Sequence, residues 1–254
     1  MTHFDYSRKT SVRKRLGLIV LQEDERIESD FQALLYQYVD VFFSRIASSK
    51  IITAETLMAM ETHLVDAASL LPSSTPFDAI GYGCTSASAQ IGSTRIAQLI
   101  GLARQCHFIT NPLNALTSAC KNQNINSLAL LSPYVQSVSE GLRTALQHHG
   151  IATPIFGSYD EERESQVARI SPQSIHDAAL ALGKRGGVDG VFLSCTNLNT
   201  LSIIAPLQDA LGLPVFSSNL VLAWDMLRGA RCDDLPQTPS VLLERCYAKG
   251  IRPI

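Results

Sequence analysis

Short continuous runs of apolar residues recur along the chain, and each is followed by a stretch with helical periodicity. The clearest runs cover residues 16–21, 77–83, 127–132 and 190–194. A continuous apolar run of this length is typical of a strand that is buried on both faces of a parallel sheet. Because strands and helices alternate at βαβ spacing throughout, the pattern predicts an α/β fold of parallel sheets with right-handed crossovers.

The chain also carries a weak internal duplication. Residues 77–88 read FDAIGYGCTSAS, and residues 188–199 read VDGVFLSCTNLN. Each segment combines an apolar strand, a Cys-Thr pair, a polar residue and a predicted helix. The repeat therefore predicts two similar α/β lobes that face each other across a cleft. We place the N-terminal lobe at residues 1–112, with a returning C-terminal helix in 220–254, and the C-terminal lobe at 113–219.

Cys84 and Cys195 follow predicted strands, and ligands of open α/β sheets bind beyond the carboxyl ends of the strands. A helix is predicted directly after each cysteine, where free backbone N–H groups and the helix dipole favour an anion. We therefore expect the carboxylate of a substrate to be held by the residues beside the two cysteines, namely Thr85 and Ser86, or Thr196 and Asn197.

The same electrostatic field is expected to lower the pKa of these thiols from about 8.5 towards neutral and to produce a usable thiolate. Two thiols on opposite faces of one carbon could act as base and acid, or one thiolate could add to a double bond. The structural alternative is a small residue that packs well at a crowded strand end. For the remaining cysteines, a core or surface thiol is the better interpretation: Cys106, Cys120, Cys232 and Cys246.

Composition narrows the classes of partner. Of the 254 residues, 46% are apolar and 17% are charged, and the net charge is −2 without a basic stripe, which argues against nucleic acid. No run reaches membrane-spanning length, and no signal peptide is recognisable. Neither the cysteines nor the histidines show metal-ligand spacing. We therefore expect a cytoplasmic globular protein with reduced thiols and no metal.

Four segments together resemble the aspartate/glutamate racemase superfamily, in particular the branch of maleate cis-trans isomerases and arylmalonate decarboxylases. They read GLIVLQEDERIESDF, GYGCTSASAQIG, LLSPYVQSV and FLSCTNLNTLSIIAPLQDALGLPVFSSN, and the similarity covers about residues 16–230. The resemblance implies two pseudo-symmetric Rossmann-like lobes with the active site between them and no cofactor. The resemblance is also compatible with a homodimer.

The resemblance implies roles for individual residues. In isomerases of this type the first cysteine is the nucleophile or base and the second is the proton donor, which correspond to Cys84 and Cys195. Arylmalonate decarboxylases keep only the second cysteine, so the presence of both favours an isomerase or racemase. Tyr134 matches a substrate-contacting position, although it could instead be a helix-cap aromatic. A decarboxylase or lyase, and a non-catalytic small-molecule-binding relative, are the alternatives.

Two positions depart from the pattern of the maleate isomerases, which bind substrate carboxylates through two asparagines. This chain has Asp24 at the first and an acid at the second, where we favour Glu164 over Glu161 and Glu162. Acids there would repel a dicarboxylate and suit a cationic amine, unless they are solvated loop charges. The segment LIVLQEDERIE also resembles the ectoine-utilisation subgroup, so we expect an amino-acid derivative, such as an acylated diaminobutyrate, as the substrate.

Overall fold

Two four-stranded parallel sheets organise the part of the chain that the computed structural model describes, which is residues 1–8, 13–74 and 76–232. The strands are β1 (Arg15–Leu21), β2 (Asp40–Ile46), β3 (Ala79–Gly83), β4 (Ile109–Thr110), β5 (Ser127–Ser132), β6 (Ala152–Ser158), β7 (Gly190–Leu193) and β8 (Val215–Ser217).

The two sheets have the same topology. The first has the strand order β2-β1-β3-β4 and the second β6-β5-β7-β8, and all neighbouring strands are parallel. The predicted α/β fold of two pseudo-symmetric lobes is therefore confirmed. In the first sheet Val20 lies opposite Gly83, and in the second Leu131 lies opposite Leu193. This register brings the carboxyl ends of the central strands side by side in each lobe.

Helices cover the sheets, whose central strands are almost fully buried. They are α1 (Ile27–Leu35), α2 (Ala54–Ala59), α3 (Leu64–Ser69), α4 (Thr85–Ile91), α5 (Ser93–Ala103), α6 (Pro112–Asn122), α7 (Gln136–His148), α8 (Glu164–Val167), α9 (Pro172–Gly183), α10 (Ile204–Leu211) and α11 (Ser218–Gly229). Among the described residues, no helix is long and apolar enough to cross a membrane.

One helix differs from its prediction in a way that affects the site. The helix expected directly after Cys195 begins only at Ile204, and residues 196–203 form turns instead. Polar side chains that bond elsewhere compete with helix formation. Here the carboxamide of Asn197 accepts the Glu25 N–H at 2.9 Å and donates to the Glu164 carboxylate at 3.0 Å. The prediction that Cys195 lies at a helix N-terminus is therefore wrong.

The last described helix connects the second sheet to the first. Helix α11 follows β8 directly, yet it packs against β3, β4, α1 and α6. The sulfur of Met226 fills the space above Gly81, where an added Cβ would lie 2.6 Å from it. The predicted lobe boundaries stay a prediction, and the remainder of the returning segment, residues 233–254, lies outside the described residues.

The close contact at the end of α11 makes a prediction about stability. A Cβ at Gly229 would lie 1.9 Å from the ring of Phe108, whereas a Cβ at Gly101 in α5 would meet nothing within 4 Å. We expect Gly229→Ala to lower the free energy of unfolding by about 1–3 kcal/mol through overpacking. Gly101→Ala should raise it by about 0.5–1 kcal/mol through helix propensity. Urea unfolding curves of the two variants should therefore shift in opposite directions, and a shared direction would contradict the packing described.

Candidate functional site

Nine predicted site residues are buried at the carboxyl ends of the strands, each exposing 4% or less of its surface. They are Asp24, Cys84, Thr85, Ser86, Tyr134, Glu164, Cys195, Thr196 and Asn197. Cys84 follows β3 and Cys195 lies two residues beyond β7, so the repeated Cys-Thr segments occupy equivalent places in the two lobes. The structure brings these residues together in one buried cluster, where each cysteine is held differently.

Cys84 caps the start of α4 in an ordinary extended conformation, with φ −148°. Its Sγ accepts the Ala87 N–H at 3.4 Å. Among the described residues no side-chain hydroxyl or carboxylate lies within hydrogen-bond distance of this thiol. Cys84 is therefore held by backbone groups of its own helix.

Cys195 adopts a strained conformation, because its φ of 140° lies in a region that favours glycine. Its Sγ lies 2.8 Å from the hydroxyl of Tyr134 and accepts the Asn197 N–H at 3.2 Å. Non-glycine residues in such conformations cost about 1–3 kcal/mol and cluster at functional sites. The strain therefore supports a functional role for this thiol independently of its place in the sequence repeat.

Ser218, which we did not predict, connects the two Cys-Thr segments. Its Oγ accepts the Thr85 hydroxyl at 2.8 Å and the Cys195 N–H at 3.0 Å. A second link runs between the lobes in the opposite sense, where the Thr196 hydroxyl donates to the Gly83 carbonyl at 3.3 Å. The hydroxyls of both threonines are thus bonded to the protein rather than directed to a ligand.

A further pair behind the second Cys-Thr segment was also missed. The side chain of Asn219 donates to the Thr196 carbonyl and to the carboxylate of the fully buried Asp30, both at 2.8 Å. The SSN segment that contains Ser218 and Asn219 was already part of the resemblance, and this was the available signal. Nothing in the local sequence pattern marked Asp30, which lies among the apolar positions of α1.

The two predicted acids have different partners. One oxygen of Asp24 accepts the N–H groups of Arg26 and Ile27 at 2.7 and 2.8 Å, at the start of α1. Its other oxygen, Oδ2, is buried and has no hydrogen-bond partner among the described residues. The Thr196 hydroxyl lies close enough to lower the pKa of Asp24, but it donates to the Gly83 carbonyl. In Glu164, Oε2 accepts from Asn197 at 3.0 Å and Oε1 accepts from the Tyr134 hydroxyl at 3.4 Å.

The rival acids of the same loop point elsewhere. Glu161 forms an ion pair with Arg163 at 2.8 Å, and Glu162 is exposed. Glu164 is therefore the member of this loop that lies in the cluster. It is the first residue of the short helix α8 rather than part of an extended loop.

Burial dominates the electrostatics of the two acids. It raises the pKa of Asp24 above its usual value, against the backbone N–H groups that lower it. Burial raises the pKa of Glu164 to about 7; the Asn197 hydrogen bond opposes the rise, and the charge of Asp24 adds to it. Glu164 is thus close to half-protonated at neutral pH, in the range where a carboxyl group exchanges protons most readily.

The prediction of low thiol pKa values is wrong. Burial raises the pKa of Cys84 to about 12, and it raises the pKa of Cys195 well above its usual value. The charges of Glu164 and Asp24 raise both further, and the backbone N–H groups oppose the shift only in part. Both thiols are therefore protonated at neutral pH until something changes the charge of the cluster.

The cluster contains two acids but no available cation among the described residues. The cationic group that acts on Asp24 is Arg45. Its guanidinium donates to the carbonyls of Leu21, Gln22 and Asp24 and forms an ion pair with Glu28 at 2.6 Å. Arg45 therefore contacts the backbone of Asp24 but forms its ion pair with Glu28, and neither cluster carboxylate is paired with a cation among the described residues.

Contacts between the lobes close this site. The Glu164 N–H donates to the Lys50 carbonyl at 3.1 Å, and Arg169 pairs with Glu25 at 2.9 Å. The N–H of Glu25 also donates to Asn197. The cluster is buried behind these contacts.

The other cysteines lie apart from this cluster. Cys120 is buried in α6, Cys106 is half-buried before β4, and Cys232 is buried after α11. Cys246 lies outside the described residues. The interpretation of the three described cysteines as core or surface thiols agrees with these positions.

Comparisons with known proteins identify a family and relatives of this chain. A family model for arylmalonate decarboxylase matches residues 16–243. The chain is 22% identical to the maleate isomerase of Pseudomonas putida over 247 residues, covering 92% of this chain and 98% of that protein. It is 27% identical to the arylmalonate decarboxylase of Bordetella bronchiseptica over 120 residues, covering 47% and 50%.

Solved structures extend the comparison. A cysteine-to-alanine variant of the maleate isomerase Iso from Pseudomonas putida S16, crystallised with maleate, superposes with a TM-score of 0.80 at 21% identity, covering 94% of this chain and 100% of that chain. A Nocardia farcinica maleate cis-trans isomerase mutant with a covalently bound succinylcysteine intermediate gives 0.75 at 18% identity, covering 92% and 99%.

The fold and the match define a two-lobed α/β protein of a class that contains cysteine-based isomerases and decarboxylases. Since the family model spans most of its length, the chain belongs to the arylmalonate decarboxylase family. The predicted branch of maleate isomerases and arylmalonate decarboxylases is thereby confirmed, whereas the ectoine-utilisation subgroup stays a prediction.

The strain at Cys195 is testable by comparing glycine with alanine. Glycine adopts a φ of 140° without strain, so we expect Cys195→Gly to be more stable than Cys195→Ala by about 1 kcal/mol. At the neighbouring Ser194, where φ is not positive, Ser194→Gly should be less stable than Ser194→Ala by a similar amount. If the glycine variant is less stable than the alanine variant at both positions in chemical unfolding, the Cys195 backbone is unstrained.

The raised pKa of Glu164 predicts a pH dependence of stability. Its folded pKa of about 7 exceeds the ordinary 4.5, so between these values the folded state keeps a proton that the unfolded chain has lost. Stability should therefore fall as the pH rises through this window, by up to about 3 kcal/mol. We expect Glu164→Gln to flatten this slope in unfolding curves measured from pH 4.5 to 8.

Glu161→Gln is the matched control from the same loop. The pKa of Glu161 is lowered to about 2 by its hydrogen bond with Arg163, so it titrates below the window. This variant should keep the wild-type slope between pH 4.5 and 7. An unchanged slope in Glu164→Gln would mean that Glu164 is ionised normally in the folded protein.

Proposed function

We propose that this protein is a cofactor-independent isomerase or racemase that acts on a small carboxylate bearing a cationic nitrogen, with Cys84 and Cys195 as the acid/base pair. An acylated diaminobutyrate or a similar amino-acid derivative fits this description. The observation that carries the proposal is the pairing of two buried thiols with two buried acids, Asp24 and Glu164, in a cluster without an available cation.

The charge of the cluster sets the class of substrate. A dicarboxylate would add negative charge to a buried space that already contains Asp24 and Glu164, and the repulsion would not be screened by solvent. A cationic nitrogen would instead be attracted to both acids. The two acids therefore favour a zwitterionic substrate over maleate, the ligand in the structure of the Pseudomonas putida S16 maleate isomerase variant.

Unpaired polar atoms support the same class. The Oδ2 of Asp24 is a buried acceptor without a partner among the described residues, and Ser86 brings a hydroxyl into the same buried cluster. The first can accept an N–H from an ammonium group, and the second can donate to a carboxylate. Both groups flank Cys84, since the Ser86 N–H and the Asp24 charge both act on its thiol. A ligand that carries both an amine and a carboxylate would satisfy both.

The chemistry follows from the two thiols. One cysteine, as a thiolate, removes the proton from the α-carbon of the substrate, and the other delivers its own thiol proton to the opposite face. The C–H bond that breaks and the C–H bond that forms leave the substrate with the same composition. Burial keeps both thiols protonated, and the positive charge of the substrate lowers their pKa values, so that one of them passes its proton to a base outside the pair when the substrate binds, while the other stays protonated.

Exchange of the α-hydrogen tests this proposal. We expect the wild-type protein, incubated in D₂O with an enantiomerically pure acylated diaminobutyrate, to lose the α-proton NMR signal and the optical rotation without releasing carbon dioxide. Cys84→Ser and Cys195→Ser should each lose racemisation by at least about 100-fold, the lower range for one acid/base group. Release of carbon dioxide from arylmalonates would instead support the decarboxylase alternative. Ligand-dependent stabilisation without any turnover would support a binding protein.

The acids test the class of substrate separately. The double variant Asp24→Asn with Glu164→Gln should lose at least about tenfold in kcat/KM for the zwitterionic substrate, which corresponds to about 1.4 kcal/mol of lost attraction for its cationic nitrogen. The variant should also gain affinity for maleate, because the two negative charges that repel it are gone. Asp209→Asn is the control, since Asp209 is an exposed acid of α10. An unchanged preference in the double variant would refute the charge argument while leaving the two-thiol chemistry intact.

A further inference from the structure

We propose that Glu164 takes up the proton of Cys195 through the hydroxyl of Tyr134, so that only one of the two thiols is connected to a proton acceptor of the protein. This inference deepens the proposed function and rests on it, but its test needs no substrate. In this arrangement Tyr134 passes the proton between the thiol and the carboxylate, and Glu164 accepts it.

The contacts form a continuous chain. The hydroxyl of Tyr134 lies 2.8 Å from the Sγ of Cys195 and 3.4 Å from the Oε1 of Glu164. The opposite carboxylate oxygen is held by the Asn197 side chain at 3.0 Å, and the Asn197 N–H points at Cys195. Asn197 therefore orients both ends of the chain, the carboxylate and the thiol.

The proton movement is balanced within these three side chains. The S–H bond of Cys195 breaks as its proton moves to the oxygen of Tyr134, while the O–H bond of Tyr134 breaks as its proton moves to Glu164. The products are a thiolate, an unchanged tyrosine and a carboxylic acid, with the total charge conserved. Cys195 is then the base, whereas the resemblance implied the role of proton donor for it. Reversal of the same steps returns the proton to Cys195 and restores the donor role.

Cys84 has no equivalent chain. Its Sγ accepts only backbone N–H groups among the described residues, and neither a hydroxyl nor a carboxylate lies within hydrogen-bond distance. The carboxylate of Glu164 reaches Cys84 only through its charge, which raises the pKa of that thiol. The same carboxylate thus has opposite effects on the two cysteines: it hinders ionisation of Cys84 by repulsion, and it assists deprotonation of Cys195 by accepting the proton.

Other charged groups around Glu164 do not replace it in this role. Asp24 and Glu23 raise its pKa by their charge, and Lys50 contacts it through a backbone carbonyl. Both thiols feel the charge of Asp24, so that acid affects them in the same direction. Asp24 makes no hydrogen bond to Tyr134 or to either thiol, which makes it a control for charge without relay.

The experiment measures the alkylation of both cysteines by iodoacetamide in the same sample, with each modified peptide quantified by mass spectrometry. The ratio of the Cys195 rate to the Cys84 rate cancels any common effect of opening the lobes. In the wild type we expect this ratio to increase with pH through about 7, where Glu164 loses its proton and becomes an acceptor. Glu164→Gln should lower the ratio by at least about tenfold and abolish its pH dependence.

The controls separate a relay from a simple charge effect. Asp24→Asn removes a negative charge near both thiols and should accelerate both reactions. Because it also lowers the pKa of Glu164, the ratio should still rise with pH, but from a lower pH than in the wild type. Tyr134→Phe should lower the ratio as Glu164→Gln does. If Glu164→Gln instead accelerates Cys195 as well as Cys84, Glu164 acts by repulsion alone and the relay is overturned. Because no substrate is used, this result is independent of whether the protein proves to be an isomerase.

Discussion

The hydroxyl of Ser218 accepts one hydrogen bond from the Thr85 side chain and another from the backbone of Cys195, and the remaining site is arranged around this crossing. It fixes the Cys-Thr segment of one lobe against that of the other at the start of α11. The second crossing, from Thr196 to the Gly83 carbonyl, runs in the opposite sense. Buried hydroxyls without partners would be costly, so the two lobes are held in one relative position by polar groups that need each other.

This arrangement makes the two cysteines inequivalent although their sequences repeat. Cys84 has an ordinary backbone and contacts N–H groups of α4, whereas Cys195 has a φ of 140° and contacts Tyr134. The inequivalence arises because a helix begins directly after Cys84, while turns follow Cys195. A pseudo-symmetric fold can therefore provide two thiols with different access to protons.

Burial is the dominant electrostatic influence in the site. It raises the pKa values of Asp24, Glu164 and both thiols, and the charge of Arg45 opposes the rise at Asp24 without reversing it. A closed site of this kind is unfavourable for a thiolate until a ligand supplies positive charge. The same low-dielectric surroundings that keep the thiols protonated would strengthen their interaction with a cationic substrate.

The sequence by itself determined the α/β class, the two lobes and the positions of Cys84 and Cys195, because apolar periodicity and the Cys-Thr repeat are local properties; the resemblance to a known family indicated the branch. Only the tertiary structure decided which acid of the 160–164 loop enters the site, that Ser218 joins the lobes, and that a turn rather than a helix follows Cys195. It also reversed the expected thiol pKa values, since desolvation depends on everything packed around a group, whereas a helix start is visible in the chain. The burial of a group depends on residues that are distant from it in the sequence, so no local pattern predicts it.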